Sequence, residues 1–315
     1  MKKTMLLLCC VALLLSANAS LTLSAPGGSS PETENADSYY DLGRKHHSAG
    51  RYEEAIESYT RAVRIRPDHA EAHNGLGSSY AAAGRIPEAI AEFNEAVRLN
   101  PAFAEAYNNL GAVLTDSGSY EKGIESFKQA IKIDAHYVVA HNNLGKAYCK
   151  LRRYDEATDS FLRALRLKPS DPTAHYNLGK IYLILGRKEQ AVVSLTQAIA
   201  RQPNYPVAHN DLGLAYASMG HYKEAIAALE KAISLAPHMA EARLNLGAIY
   251  LRAKNRPGAL AQYSVLKTRP QDGRSALRSP ERGYDCQREP QVSASAGRGD
   301  LSSAGPPRLT DLRSV

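Results

Sequence analysis

The amino-acid sequence predicts an all-α protein, a right-handed α-solenoid of seven 34-residue helix-turn-helix units. Two observations carry that expectation. A Leu-Gly pair recurs at Leu42-Gly43, Leu76-Gly77, Leu110-Gly111, Leu144-Gly145, Leu178-Gly179, Leu212-Gly213 and Leu246-Gly247, always 34 residues apart and without an insertion. A fixed period of that size means stacked units, each burying its apolar face on its neighbours, in place of one central core. Within each period, apolar and small residues return at steps of three and four, which describes two short antiparallel helices joined by a turn.

Counting places from six residues before each leucine divides the array into 36–69, 70–103, 104–137, 138–171, 172–205, 206–239 and 240–269. An aromatic residue or His usually stands at place 4, Leu at 7, Gly at 8 and usually Tyr at 11. The second half usually has Ala at 20, an aromatic residue or Leu at 24, and usually Ala at 27 and Pro at 32. The first helix of a unit is expected to stop near place 15, where Gly50, Gly84, Gly118, Gly186 and Gly220 suit a left-handed cap. The second stops before Pro67, Pro101, Pro169, Pro203 and Pro237. Small residues at places 8 and 20, such as Gly145 with Ala157, let the two helices approach closely.

Those places are the pattern of the tetratricopeptide-repeat (TPR) family, which the chain resembles over about three quarters of its length. The third unit departs most, with Leu114, Gly123 and Ala135 where Tyr, Ala and Pro usually stand, and reads as the loosest of the seven.

The two ends differ in composition. Residues 1–19 combine Lys2 and Lys3, an apolar run from Met5 to Leu15 and Ala17-Asn18-Ala19, as a secretory signal peptide cut after Ala19 does. The export this implies is periplasmic or secreted. An uncleaved anchor would need a longer apolar run, and a lipoprotein a small residue before Cys9, where Leu8 stands. Membrane contact is expected only if this segment is retained. Residues 20–35 are rich in Ser, Pro and Gly and read as a flexible linker. Residues 270–315, rich in Arg, Ser, Gly and Pro, read as a disordered tail. Reading the back-translated codons from Arg269 one base later permits a helix that would continue the array. The tail is thus either native or a frameshifted remnant of a capping helix.

The net charge of +7 excludes little by itself. Lys2 and Lys3 carry two of those charges and the segment after Lys267 a net two more, so the repeats are only mildly basic. Without a basic stripe and interleaved stacking aromatics, nucleic acid is not an expected partner. Cys149 lies in a repeat and Cys286 in the tail, so no structural disulfide is expected.

No phosphate loop, nucleophile elbow, paired-cysteine motif or HExxH string occurs, and neither a cofactor nor enzymatic activity is expected. His73, His141, His175 and His209 share place 4 in different units. Helix layers lie roughly 10 Å apart, too far for four ligands to converge on one ion, so these residues read as packing groups and no metal is expected.

The binding signal is an amide row. Place 6 reads Asp41, Gly75, Asn109, Asn143, Asn177, Asp211, Asn245, and place 5 adds Asn74, Asn108, Asn142 and Asn210. With Leu at 7, Gly at 8 and Tyr at 11 turned to the partner helix, places 2, 5, 6, 9 and 13 share the opposite face. Asn is a middling helix former, so its repetition mid-helix suggests a use. An amide both donates and accepts, so a row of them can hold a peptide backbone without reading its sequence. Lys146 and Lys180, with Lys150, add a basic middle. The candidate peptide-binding residues are therefore Asn108, Asn109, Asn142, Asn143, Asn177, Asn245, Lys146 and Lys180.

The row also resembles the TPR region of O-linked N-acetylglucosamine transferases, where an asparagine ladder holds substrate polypeptide. Carried over, that ladder is Asn109, Asn143, Asn177 and Asn245, interrupted by Asp41, Gly75 and Asp211. The expected function is a non-catalytic scaffold holding an extended protein or peptide segment in the concave groove. The alternative is a peptide-presenting subunit or fragment of a glycosyltransferase system.

Overall fold

The computed structural model describes residues 35–268. The signal segment expected over 1–19, the tail expected over 270–315 and all of the 20–35 linker except its last residue lie outside the described residues. That last residue, Asn35, is the N-cap of the first helix, its side chain accepting from the backbone N–H of Asp37 at 3.0 Å.

Fourteen helices follow, with no strand among the described residues. They pair as α1 (Ala36–Ser48) with α2 (Tyr52–Ile65), α3 (Ala70–Ala82) with α4 (Ile86–Leu99), and α5 (Ala104–Asp116) with α6 (Tyr120–Ile133). Next come α7 (Val138–Lys150) with α8 (Tyr154–Leu167), and α9 (Pro172–Ile184) with α10 (Lys188–Arg201). The array closes on α11 (Pro206–Ser218) with α12 (Tyr222–Leu235), and α13 (Ala240–Arg252) with α14 (Arg256–Thr268). Each pair is one repeat of the expected α-solenoid.

Every first helix packs on its own second helix, and every second helix on the first helix of the next repeat. Successive first helices also touch one another, whereas successive second helices do not among the described residues. First helices therefore lie on the inner, concave side of the stack. The core runs along the seam between the two sets. Phe93, Phe127 and Phe161 at place 24 are each at most 2 % exposed, flanked by fully buried alanines such as Ala89, Ala96, Ala157 and Ala164. Close approach requires the place-8 glycine: a Cβ on Gly145 would come within 2.8 Å of the Phe161 ring.

The turn at place 15 is left-handed throughout. Glycine takes it at five repeats with φ between 71° and 85°, while Arg152 and Lys254 take it at 57° and 58°, where a Cβ is strained. Two repeats add a clamp across their own helix pair. Arg85 donates to Glu88 and lies 4.5 Å over the Tyr80 ring, and Arg153 donates to Glu156 and lies 4.7 Å over Tyr148.

The third repeat corrects a sequence inference. Gly123 does not leave slack where alanine usually stands, because a Cβ there would sit 2.3 Å from Thr115 Oγ1 and 2.9 Å from the Gly111 carbonyl. Thr115 fills the space of the missing methyl and donates to Gly111 O at 2.8 Å. The place-4 histidines are packing groups with a defined bond. His73, His141, His175 and His209 each use Nε2 on the carbonyl six residues earlier, those of Pro67, Ala135, Pro169 and Pro203, at 3.0–3.1 Å. They satisfy the turn between repeats, whose backbone groups have no helical partner. Cys149 is buried in α7, and the cysteine of the tail lies outside the described residues.

Among the described residues no helix is long and apolar enough to cross a membrane, and no group of three or more His, Cys, Asp or Glu could hold a metal ion.

Candidate functional site

Places 5 and 6 of the first helices lie where one inner helix meets the next. In four repeats the residue at place 6 reaches back to place 5 of the repeat before it. Asn109 donates through Nδ2 to Asn74 Oδ1 at 3.0 Å, Asn143 to Asn108 Oδ1 at 3.0 Å, and Asn245 to Asn210 Oδ1 at 2.9 Å. Where place 5 is Tyr176, place 6 of the next repeat is Asp211, which accepts from the tyrosine hydroxyl and from Asn210 Nδ2. The amide row is thus first a set of rivets between repeats, each worth about 0.5–1.5 kcal/mol as a net hydrogen bond.

Place 5 also meets the last residue of its own repeat. Tyr40 packs on His69 with ring centroids 4.9 Å apart, Tyr176 on Tyr205 at 4.9 Å, and Asn142 donates to Asp171. Asp171 caps α9 as well, accepting from the Thr173 N–H. At these three junctions a ring meets a ring twice and an amide meets a carboxylate once, whereas Asn74, Asn108 and Asn210 have Phe103, Tyr137 and Met239 at the last place of their repeats.

Burial separates the candidates. Asn109, Asn143, Asn245, Lys146 and Lys180 are partly exposed on the inner face. Asn108, Asn142 and Asn177 lie beneath it, at 5 %, 8 % and 1 % exposure. The exposed amides have each committed one N–H to the preceding repeat. Asn has two N–H donors and an oxygen with two lone pairs, so each retains bonding capacity in an orientation that the rivet holds.

The basic middle is partly offset. Lys146 and Lys150 attract the carboxylate of Asp116 on the preceding repeat, and Lys180 that of Asp211 on the following one. Burial pushes the Asp211 carboxyl up to about 6 despite Lys180, Asn210 and Tyr176. Sequence reasoning had counted the lysines without these partners. Their signal was present in the spacing, since Asp116 stands at place 13 of its repeat, one unit before Lys146.

Sequence reasoning also passed over a polar recess of about 600 Å³ on the inner face between α1 and α3, bordered by Tyr40, Tyr59, Glu71, Gly75 and Glu105. It lies where Gly75 breaks the amide row. A gap in a repeated pattern was the available signal.

A family model described as tetratricopeptide repeat matches residues 40–102, 76–137 and 210–273. A second, described as TPR repeat, matches 145–186 and 179–220. No curated protein matches the chain. Among solved structures, PilW, a widely conserved type IV pilus biogenesis factor, is 19 % identical with a TM-score of 0.62, the match covering 67 % of this chain and 98 % of PilW. YrrB, a TPR protein with an unusual peptide-binding site, is 22 % identical with a TM-score of 0.51 over 63 % of this chain and 98 % of YrrB. A chain of the APC/C hetero-tetramer Cut9–Hcn1 is 22 % identical with a TM-score of 0.59 over 70 % of this chain, which spans only 44 % of that one. At such identities the likeness is one of fold.

Proposed function

Because the chain belongs to the tetratricopeptide-repeat family, whose arrays are scaffolds for protein–protein interaction, we propose that its inner face holds an extended segment of a partner protein without catalysing a reaction. The observation that carries this reading is the state of Asn109, Asn143 and Asn245. Each is partly exposed on the inner face, and each is oriented by one hydrogen bond to the repeat before it. A donor and acceptor pair held in place loses little freedom on binding, so its hydrogen bonds to a peptide backbone contribute nearly in full. Asn108 holds Asn143 from below, while Asn142 beneath the face is bonded to Asp171. Lys146 and Lys180 favour acidic segments, moderated by Asp116 and Asp211. The peptide-binding site described for YrrB on the same fold is consistent with this use.

The test is capture of partners with the full chain, mapping of the bound segment, and titration of that segment against Asn109→Ala, Asn143→Ala and Asn245→Ala combined. The reading requires at least about tenfold weaker binding, as loss of several hydrogen bonds implies. Unchanged affinity removes it. The N-terminal sequence supports placing this activity in an exported compartment. A native protein whose intact mass retains residues 1–19, or carries an acyl group, would contradict that placement.

A further inference from the structure

We propose that the recess between the first and second repeats receives the basic side chain, arginine or lysine, of a polypeptide lying in the groove. This rests on the groove reading above and names the side-chain chemistry that one subsite selects. The recess exists because the amide row fails there. Place 6 of the second repeat is Gly75, so no side chain reaches back to Tyr40, and a Cβ at that position would come within 2.6 Å of the Tyr59 ring.

Tyr59 supplies the floor. It stands at place 24, where the next five repeats hold Phe93, Phe127, Phe161, Leu195 and Leu229, so its hydroxyl is not needed for core packing. The residue is 3 % exposed and lines the recess, and its hydroxyl has no hydrogen-bond partner among the described residues. A hydroxyl that faces the recess without a protein partner is open to a donor supplied by a ligand. Burial pushes its pKa up to about 12, so it remains a neutral group able to accept.

Glu71 and Glu105 supply the walls, at place 2 of successive repeats. Glu71 engages His69 at 3.0 Å through one oxygen, and Glu105 accepts from Asn74 at 3.3 Å. Neither forms an ion pair with Lys or Arg among the described residues. Arg44 and Lys45 line the recess from α1, and Arg44 is committed there, 3.6 Å from Asp41 and 5.8 Å over the Tyr40 ring. An ammonium or guanidinium group entering here could donate to both glutamates and to Tyr59. With Arg44 paired to Asp41, Glu71 and Glu105 outnumber the remaining Lys45, so an acidic side chain is disfavoured, and an apolar one would leave the Tyr59 hydroxyl without a donor.

Capped pentapeptides with a central arginine, lysine or glutamate between glycines, and an all-glycine control, are titrated into the full chain while backbone and side-chain amide resonances are followed. The arginine and lysine peptides should saturably shift Glu71, Gly75 and Ser78, and the glutamate and all-glycine peptides should not. Tyr59→Phe keeps the ring found at Phe93, Phe127 and Phe161 and should weaken that binding about threefold, while Glu71→Gln with Glu105→Gln should weaken it about tenfold or more. No shift with either basic peptide, equal binding of the glutamate peptide, or full affinity in both variants would overturn the proposal. The side-chain amides of Asn109, Asn143 and Asn245 separate the two readings. If they respond to every peptide while the recess stays silent, the subsite fails and the groove stands. If the basic peptides shift the recess alone, the subsite stands and the groove reading fails.

Discussion

Asn143 donates its side-chain N–H to the side-chain oxygen of Asn108 across 3.0 Å, joining two amides 35 residues apart in sequence and locking the fourth repeat to the third. Such a bond is a shared property of both residues. Asn108→Ala and Asn143→Ala should each cost about 0.5–1.5 kcal/mol, and the double variant should cost clearly less than their sum. Hydrogen exchange in α7, read for all three variants, checks this. Additive losses would mean that the amides act independently.

In the third repeat, Gly123→Ala alone should destabilise α5 and α6 by about 1–3 kcal/mol, because its methyl would meet Thr115. Adding Thr115→Ala should restore most of the loss by vacating the space. Thermal unfolding of the two variants decides it, and a Gly123→Ala protein more stable than the parent would contradict the packing described.

The left-handed turns give a prediction of opposite sign. Arg152→Gly and Lys254→Gly place at the two strained positions the residue found at the five others, and each should raise stability by about 0.5–1 kcal/mol. Chemical denaturation provides the measurement, with no gain as the contrary result.

Asp211 should make the sixth repeat sensitive to pH. Its carboxyl is raised from 3.8 to about 6 in the folded chain, so the native state holds its proton where the unfolded state has lost it. Stability from this group is full below about pH 4, falls as pH rises towards 6 and is level above, with a total change of roughly 1–3 kcal/mol. Asp211→Asn should flatten that slope in the exchange rates of α11. An unchanged slope would place the titration elsewhere.

The period of 34, the helix pairs, the left-handed turns and the packing role of the histidines were all legible in the sequence, because each repeats at a fixed place. Depth within a face was not. Helical periodicity puts places 5 and 6 on one side, yet the crossing of successive inner helices leaves Asn143 partly exposed and buries Asn142. Compensation across helices was equally hidden: Gly123 looks like a defect until Thr115 is seen against it, and Gly75 looks like a missed rung until the Tyr59 hydroxyl appears beneath it.

The central claim is that the exposed amides of the inner face grip a peptide backbone. The most direct measurement follows the side-chain amide resonances of Asn109, Asn143 and Asn245 while the mapped segment of a captured partner is titrated into the intact chain. The account predicts that all three shift together with the binding curve and exchange more slowly when saturated, with the Lys146 and Lys180 region changing most for acidic segments. Saturable binding that leaves the three amides unmoved would contradict it, showing that the row serves only to join the repeats.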